Sequence, residues 1–158
     1  MKPRAPIGVN FVCLGNICRS PMAEAVFQHM VVEAQQNSLF RVASSAVGKW
    51  HVGEKPHPGT QAVLKQNHVP LNPEKRAMVL RSADFLEYSY ILALDGEIAS
   101  SIEDMFGHKV KRLVEFAPPG FPLDVPDPYY DHNFSRVYEM VYAACLGLLD
   151  HIRSTEGV

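Results

Sequence analysis

At 158 residues, with 47% apolar and 20% charged side chains, the chain has the size and make-up of a single globular domain spanning 1–158, long enough to bury a core. Its formal net charge of −2 excludes the basic footprint of a protein that binds nucleic acid or anionic membrane. Three cysteines are an odd count for a disulfide scaffold and point to free thiols in a reducing cytoplasm.

The chain opens with Lys2 and Arg4 ahead of an apolar run, Ile7 to Cys13, in outline like a secretion signal. The run is short, Asn10 interrupts it and no small-residue cleavage site follows, so it reads as a buried strand. Pro21 to Gln36 has helical spacing, with Met22, Ala25, Val26, Met30 and Val31 on one side. Phe40 to Ser44 is a weaker strand, and Gly59 to Asn67 a second helix. Tyr90 to Leu94 and Val110 to Phe116 read as strands on either side of a helix over Ile98 to Phe106. Pro118 to Pro128 is a proline-rich loop. Phe134 to Ile152 closes the chain as a helix, with Val137, Met140, Val141, Ala144 and Leu148 on its apolar side. No run approaches the roughly 20 apolar residues of a membrane span. The alternation predicts an α/β fold, a parallel sheet with helices on both faces. Such sheets bind ligands beyond the carboxyl ends of their strands, which directs attention to the segment after the first strand.

That segment reads Cys13-Leu14-Gly15-Asn16-Ile17-Cys18-Arg19-Ser20-Pro21. A backbone running from a cysteine to an arginine six positions on can wrap into a cup of inward N–H groups, an anion nest. Gly15 and Asn16 are residue types that tolerate positive φ, and Ser20-Pro21 signals a helix start. A helix N-terminus and Arg19 beside Cys13 favour bound phosphate and the nucleophilic thiolate. Arg19 offers a planar fork for two phosphate oxygens. Transfer of a phosphoryl group to the thiolate needs a proton donor for the leaving oxygen. Asp127, in Asp127-Pro128-Tyr129-Tyr130, is the candidate, held extended by the proline. The seven histidines show no metal-ligand spacing, so neither metal nor cofactor is expected.

The run Val12 to Pro21 and the later Asp127-Pro128-Tyr129-Tyr130 resemble the low molecular weight protein tyrosine phosphatase family, and the resemblance spans nearly the whole chain. It implies a three-layer sandwich around a four-stranded parallel sheet. It implies that Cys13 attacks phosphorus to form a phosphocysteine, and that Arg19 and the amides of Leu14, Gly15, Asn16, Ile17, Cys18 and Arg19 hold the phosphate. Asp127 then acts as acid and afterwards as base. Ser20 supports the Cys13 sulfur. Asn16, held by Ser44 and Ser20, keeps the loop in shape, while Asp95 orients. Trp50 and Tyr129, with Tyr130 beside it, wall a cleft for a flat ring. The resemblance further implies that Cys18 can pair with Cys13 under oxidation, against a plainer reading as a small apolar loop residue. The partner implied is a phosphotyrosine protein, with phosphate or another anion in the loop. Two departures stand out. His57-Pro58-Gly59 stands where many members carry Asp-x-Arg, which leaves the ion pairing of that loop open. Pro73 falls where a histidine often supports the loop asparagine, which predicts a rewired and less rigid loop.

Three other readings share these residues. An arsenate reductase of this fold needs a further cysteine pair, and none lies between Cys18 and Cys145. An arginine phosphatase on the same scaffold favours threonine where this chain has Ile17. A non-catalytic phosphotyrosine-binding module should lack the nucleophile or the acid.

Overall fold

The structure, a computed structural model, describes residues 4–158; Lys2 of the signal-like start lies outside the described residues. Four parallel strands, β1 (Ile7–Cys13), β2 (Phe40–Ala46), β3 (Tyr90–Ala93) and β4 (Lys111–Arg112), form one sheet in the order β2-β1-β3-β4. Around it lie α1 (Arg19–Glu33), α2 (Pro58–Gln66), α3 (Asp84–Glu87), α4 (Gly96–Phe106), α5 (Pro128–Asp131) and α6 (Phe134–Glu156).

Every residue of β1 is buried, as a central strand covered on both faces requires. The two-residue alternation of the strands sorts side chains between two cores. Val9, Phe11, Cys13 and Leu92 join Met22 and Val26 of α1, Val63 of α2, and Val141 and Leu148 of α6. Val12, Ile91 and Ala93 face the other way, onto Ile98 and Ile102 of α4 and onto Leu80. The result is the expected three-layer α/β sandwich. Phe27 sits edge-on to both Phe11 and Phe40 at 5.7 Å, which locks α1 across β1 and β2.

Strand order also fixes where a ligand can bind. The chain leaves β1 toward β2 on one side, then crosses back to β3 on the other. The loops after β1 and β3 therefore diverge and leave a crevice beyond their carboxyl ends.

Several element boundaries differ from the expectation. Only Lys111–Arg112 of the segment 110–116 pairs as a strand, and Leu113–Phe116 coils into a 3-10 turn. There the Glu115 carboxylate accepts the Arg112 N–H at 2.6 Å, closing the turn before the ladder can extend. Helix α1 begins at Arg19 rather than Pro21; the missing proline N–H falls in the first turn, where no helical partner exists. The one-turn helices α3 and α5 are too short for a periodic signal. No helix among the described residues is long and apolar enough to cross a membrane.

Candidate active site

Cys13 ends β1 and Arg19 opens α1, so Leu14 to Cys18 form the loop at the crevice. Asn16 takes the left-handed conformation, φ 59°, which its short amide side chain tolerates. Gly15 does not share that conformation, contrary to the expectation. Its lack of a side chain serves space instead: a Cβ there would meet His51 Cδ2 at 2.7 Å.

Asn16 is 1% exposed and fully bonded. Its Nδ2 donates to Ser20 Oγ at 2.7 Å and to Ser44 Oγ at 2.9 Å, and its Oδ1 accepts the Met78 N–H at 3.0 Å. The Asn16 backbone N–H reaches the Cys13 sulfur at 3.3 Å, and Ser20 Oγ lies 2.9 Å from that sulfur. Ser20 Oγ accepts from Asn16, and two acceptors face its own proton, the Cys13 sulfur at 2.9 Å and, farther off, the Ser45 carbonyl at 3.4 Å. Behind Ser44, the hydroxyl donates to Glu24 Oε1 at 2.6 Å, and Lys75 Nζ donates to the Ser44 carbonyl at 2.9 Å. Lys75 Nζ also lies 3.2 Å from Glu24 Oε1.

This arrangement corrects the expectation placed on Pro73. Pro73 is exposed, and its carbonyl accepts from Arg76 at 3.0 Å. The buried partner behind the loop is Lys75, two residues on. Every polar group of the Asn16 side chain is satisfied, and the support behind it runs through Lys75.

Arg19 is buried beneath the loop. Its Nη1 donates to Asp95 Oδ2 at 2.5 Å and to the Val125 carbonyl at 2.9 Å, and its Nη2 lies 3.8 Å from Asp127 Oδ2. Burial works against the Arg19 charge, but the Cys13 sulfur, Asp95 and Asp127 outweigh it and hold its pKa above the usual guanidinium value. Asp95 is itself fixed as the N-cap of α4, accepting the Ile98 N–H at 2.8 Å. Asp127 caps α5 in the same way through Oδ1 and the Tyr129 N–H, 3.0 Å, which leaves Oδ2 for the cleft.

The cleft measures about 360 Å³. Cys13, Leu14, Gly15, Ile17, Cys18 and Arg19 form its floor, and Trp50, His51, Asp127, Tyr129 and Tyr130 its walls. Trp50 is 72% exposed and folds over Gly48, where a Cβ would lie 1.8 Å from the ring. Its turn is pinned by the Gly53 N–H to the Ala77 carbonyl at 2.9 Å and the Ala77 N–H to the Glu54 carbonyl at 2.8 Å. Tyr129 and Tyr130 meet edge-on at 5.4 Å. Cys18 is a free thiol; burial, then Asp127 and Cys13, push its pKa up to about 12. Among the described residues no group of three or more His, Cys, Asp or Glu side chains is arranged to hold a metal ion.

Residues 8–157 match the model of the low molecular weight phosphotyrosine protein phosphatase family. The chain belongs to this family. It is 38% identical over 151 residues to the low molecular weight protein-tyrosine-phosphatase YfkJ of Bacillus subtilis, covering 93% of this chain and 96% of that one. The PtpA phosphatase of Staphylococcus haemolyticus is 40% identical over 149 residues, covering 92% and 94%. The crystal structure of YfkJ superposes with a TM-score of 0.93 at 35% identity, covering 98% and 99%. An arginine phosphatase from Drosophila superposes with a TM-score of 0.83 at 29% identity, covering 92% and 97%.

Within this phosphatase family scaffold the structure brings the sequence-predicted residues to one place: Cys13, Arg19 and Asp127 at the cleft, Asn16, Ser20 and Ser44 behind it, and Asp95 on Arg19. Sequence reasoning assigned no site role to His51, Glu24, Lys75 or Val125. His51 had one available signal, its place beside Trp50 on the rim; its Nδ1 lies 2.7 Å from Glu54 Oε2 and its ring 5.9 Å from Tyr129. Glu24 and Lys75 carried none, being ordinary charged residues far apart in the chain.

Proposed function

We propose that the protein is a protein-tyrosine phosphatase that hydrolyses phosphotyrosine on a protein substrate through a phosphocysteine on Cys13. One observation carries this reading: the Cys13 sulfur, the Arg19 guanidinium and the Asp127 carboxylate converge on a single cleft. Phosphate oxygens lie on the loop amides and the Arg19 fork. The Cys13 thiolate attacks phosphorus in line; the S–P bond forms as the P–O bond to the tyrosyl oxygen breaks, and Asp127 delivers a proton to that oxygen. In the second step Asp127 takes a proton from water, which attacks phosphorus and releases inorganic phosphate and the thiolate. The Ser20 hydroxyl, 2.9 Å from the sulfur, stabilises the thiolate as it leaves. Asp95 keeps Arg19 in register. Trp50, Tyr129 and Tyr130 flank the phenyl ring, with Ile17 at the floor. Three free thiols suit a reducing cytoplasm.

Two variants test the scheme. Cys13→Ser reduces turnover of p-nitrophenyl phosphate to background; activity that survives this change overturns the thiolate mechanism. Asp127→Ala lowers kcat/KM for phenyl phosphate by about 10²-fold or more, as loss of a general acid does, and affects p-nitrophenyl phosphate, with its better leaving group, much less. The similarity to an arginine phosphatase supports a second reading. Here the apolar Ile17 favours the phenyl ring, and faster turnover of phosphoarginine than of phosphotyrosine would replace the tyrosine assignment.

A further inference from the structure

The turn that carries Asp127 is short and lies at the rim, and its placement depends on what holds it there. We propose that His57 is a positioning residue for this turn, clamping the segment from Asp127 to Asn133 against the phosphate-binding loop through its imidazole ring.

The backbone side of the clamp is on the loop. The His57 N–H donates to the Ile17 carbonyl at 2.8 Å, and Thr60 Oγ1 donates to the Cys18 carbonyl at 3.0 Å. The start of α2 is thus tied to two consecutive carbonyls of the loop. The side chain reaches the opposite way. Its ring lies 5.0 Å from Phe134 at an interplanar angle of 25°, 5.9 Å from Tyr129 and edge-on, and 6.4 Å from His132. Tyr129 lies in α5 two residues after Asp127, and Phe134 opens α6 just beyond Asn133. One ring therefore meets a residue early in the turn and the residue that follows it.

The neighbours of His57 are fitted to this contact. A Cβ on Gly59 would lie 2.2 Å from the Phe134 ring, so glycine lets that ring rest on the α2 backbone. Pro58 sets the first turn of α2. His57 Nδ1 accepts the Gly59 N–H at 2.9 Å, which caps the helix and fixes the plane of the imidazole. That bond requires the neutral ring with its proton on Nε2. Burial, then His132, push the His57 pKa below the usual histidine value, in agreement. The segment His57-Pro58-Gly59 thus joins a helix cap to an aromatic contact. Asp127 has to come within hydrogen-bond reach of the ester oxygen, and a misplacement of about 1 Å at a catalytic group can cost roughly 10²-fold in rate.

The inference rests on Asp127 being the general acid, and the test separates the two. His57→Phe keeps the ring and loses the cap; His57→Asn keeps a cap acceptor and loses the ring. kcat/KM is measured for phenyl phosphate and p-nitrophenyl phosphate with wild type, both variants and Asp127→Ala. His57→Asn is expected to lose about 5- to 10-fold on phenyl phosphate, within the range for a displaced acid, and less than about 2-fold on p-nitrophenyl phosphate, with KM unchanged. His57→Phe retains the wild-type ratio of the two rates. Should His57→Asn not fold, His57→Gln takes its place. Equal losses on both substrates in the ring-less variant, or a His57→Phe variant that behaves like His57→Asn, overturn the clamp while Asp127→Ala still shows its bias. Absence of that bias in Asp127→Ala overturns the acid assignment, and the role of His57 with it.

Discussion

A charged pair that never touches Cys13 sets the direction of hydrogen bonds in the network behind its loop. Glu24 can only accept, so the Ser44 hydroxyl must donate to it, and Ser44 Oγ must then accept from Asn16 Nδ2. That fixes which way the Asn16 amide faces, leaves Oδ1 for the Met78 N–H, and puts the second Nδ2 proton on Ser20 Oγ, the hydroxyl beside Cys13. Lys75 balances the Glu24 carboxylate from an 8% exposed position. Lys75→Met leaves that carboxylate uncompensated and removes a bond to the Ser44 carbonyl. We expect a stability loss of about 2 kcal/mol in urea unfolding, less than the cost of breaking a fully buried pair because Glu24 retains some solvent. A Lys75→Met variant as stable as wild type would show that the pair contributes little. The loop residues of this network stand in one contiguous motif and were legible in the sequence. Lys75 was not: its neighbour Pro73 drew the comparison, and only the turn of the chain after α2 decides which of the two side chains enters the core.

At the scale of elements, long periodic segments were readable and short or context-dependent ones were not. The final helix, its apolar stripe repeating over five turns, was legible to within a few residues at its end. The segment 110–116 has a strand-like composition, yet Glu115 folds back on Arg112 and the ladder stops after two residues. This 3-10 turn packs on α6 at Gly147, where a Cβ would lie 1.7 Å from the Phe116 carbonyl oxygen. The obstacle is backbone and cannot rotate away, so Gly147→Ala has to part α6 from the turn. Although alanine is the better helix former by about 1 kcal/mol, overpacking should win. We expect a net loss of about 2 kcal/mol, read as a lower urea midpoint at unchanged m; a midpoint equal to or above wild type would mean that the helix shifts without cost.

At the scale of the molecule, the site exists only in the folded chain. Cys13 and Arg19 come from the first strand and helix, Asp95 follows β3, and Asp127 lies more than a hundred residues beyond Cys13. On the proposed function, a phosphate ion binds these groups in the native state and not in the unfolded chain. It should therefore raise the melting temperature, by about 2.7 kcal/mol of stabilisation at 100 times its Kd. Arg19→Ala should abolish the increase; an equal increase in that variant would place the anion elsewhere. The sequence by itself determined the alternation of strand and helix, the Cys13–Ser20 loop with its glycine, asparagine and arginine, and the Asp-Pro-Tyr-Tyr segment. These depend on periodicity and on local backbone preference, which act between near neighbours. The tertiary structure decided that Gly15 yields space to His51, that Lys75 rather than Pro73 backs the loop, and that His57 lies between the loop and the turn after Asp127. Those contacts join residues far apart in the chain, and side-chain type alone does not encode which of many possible partners the packed fold brings within reach.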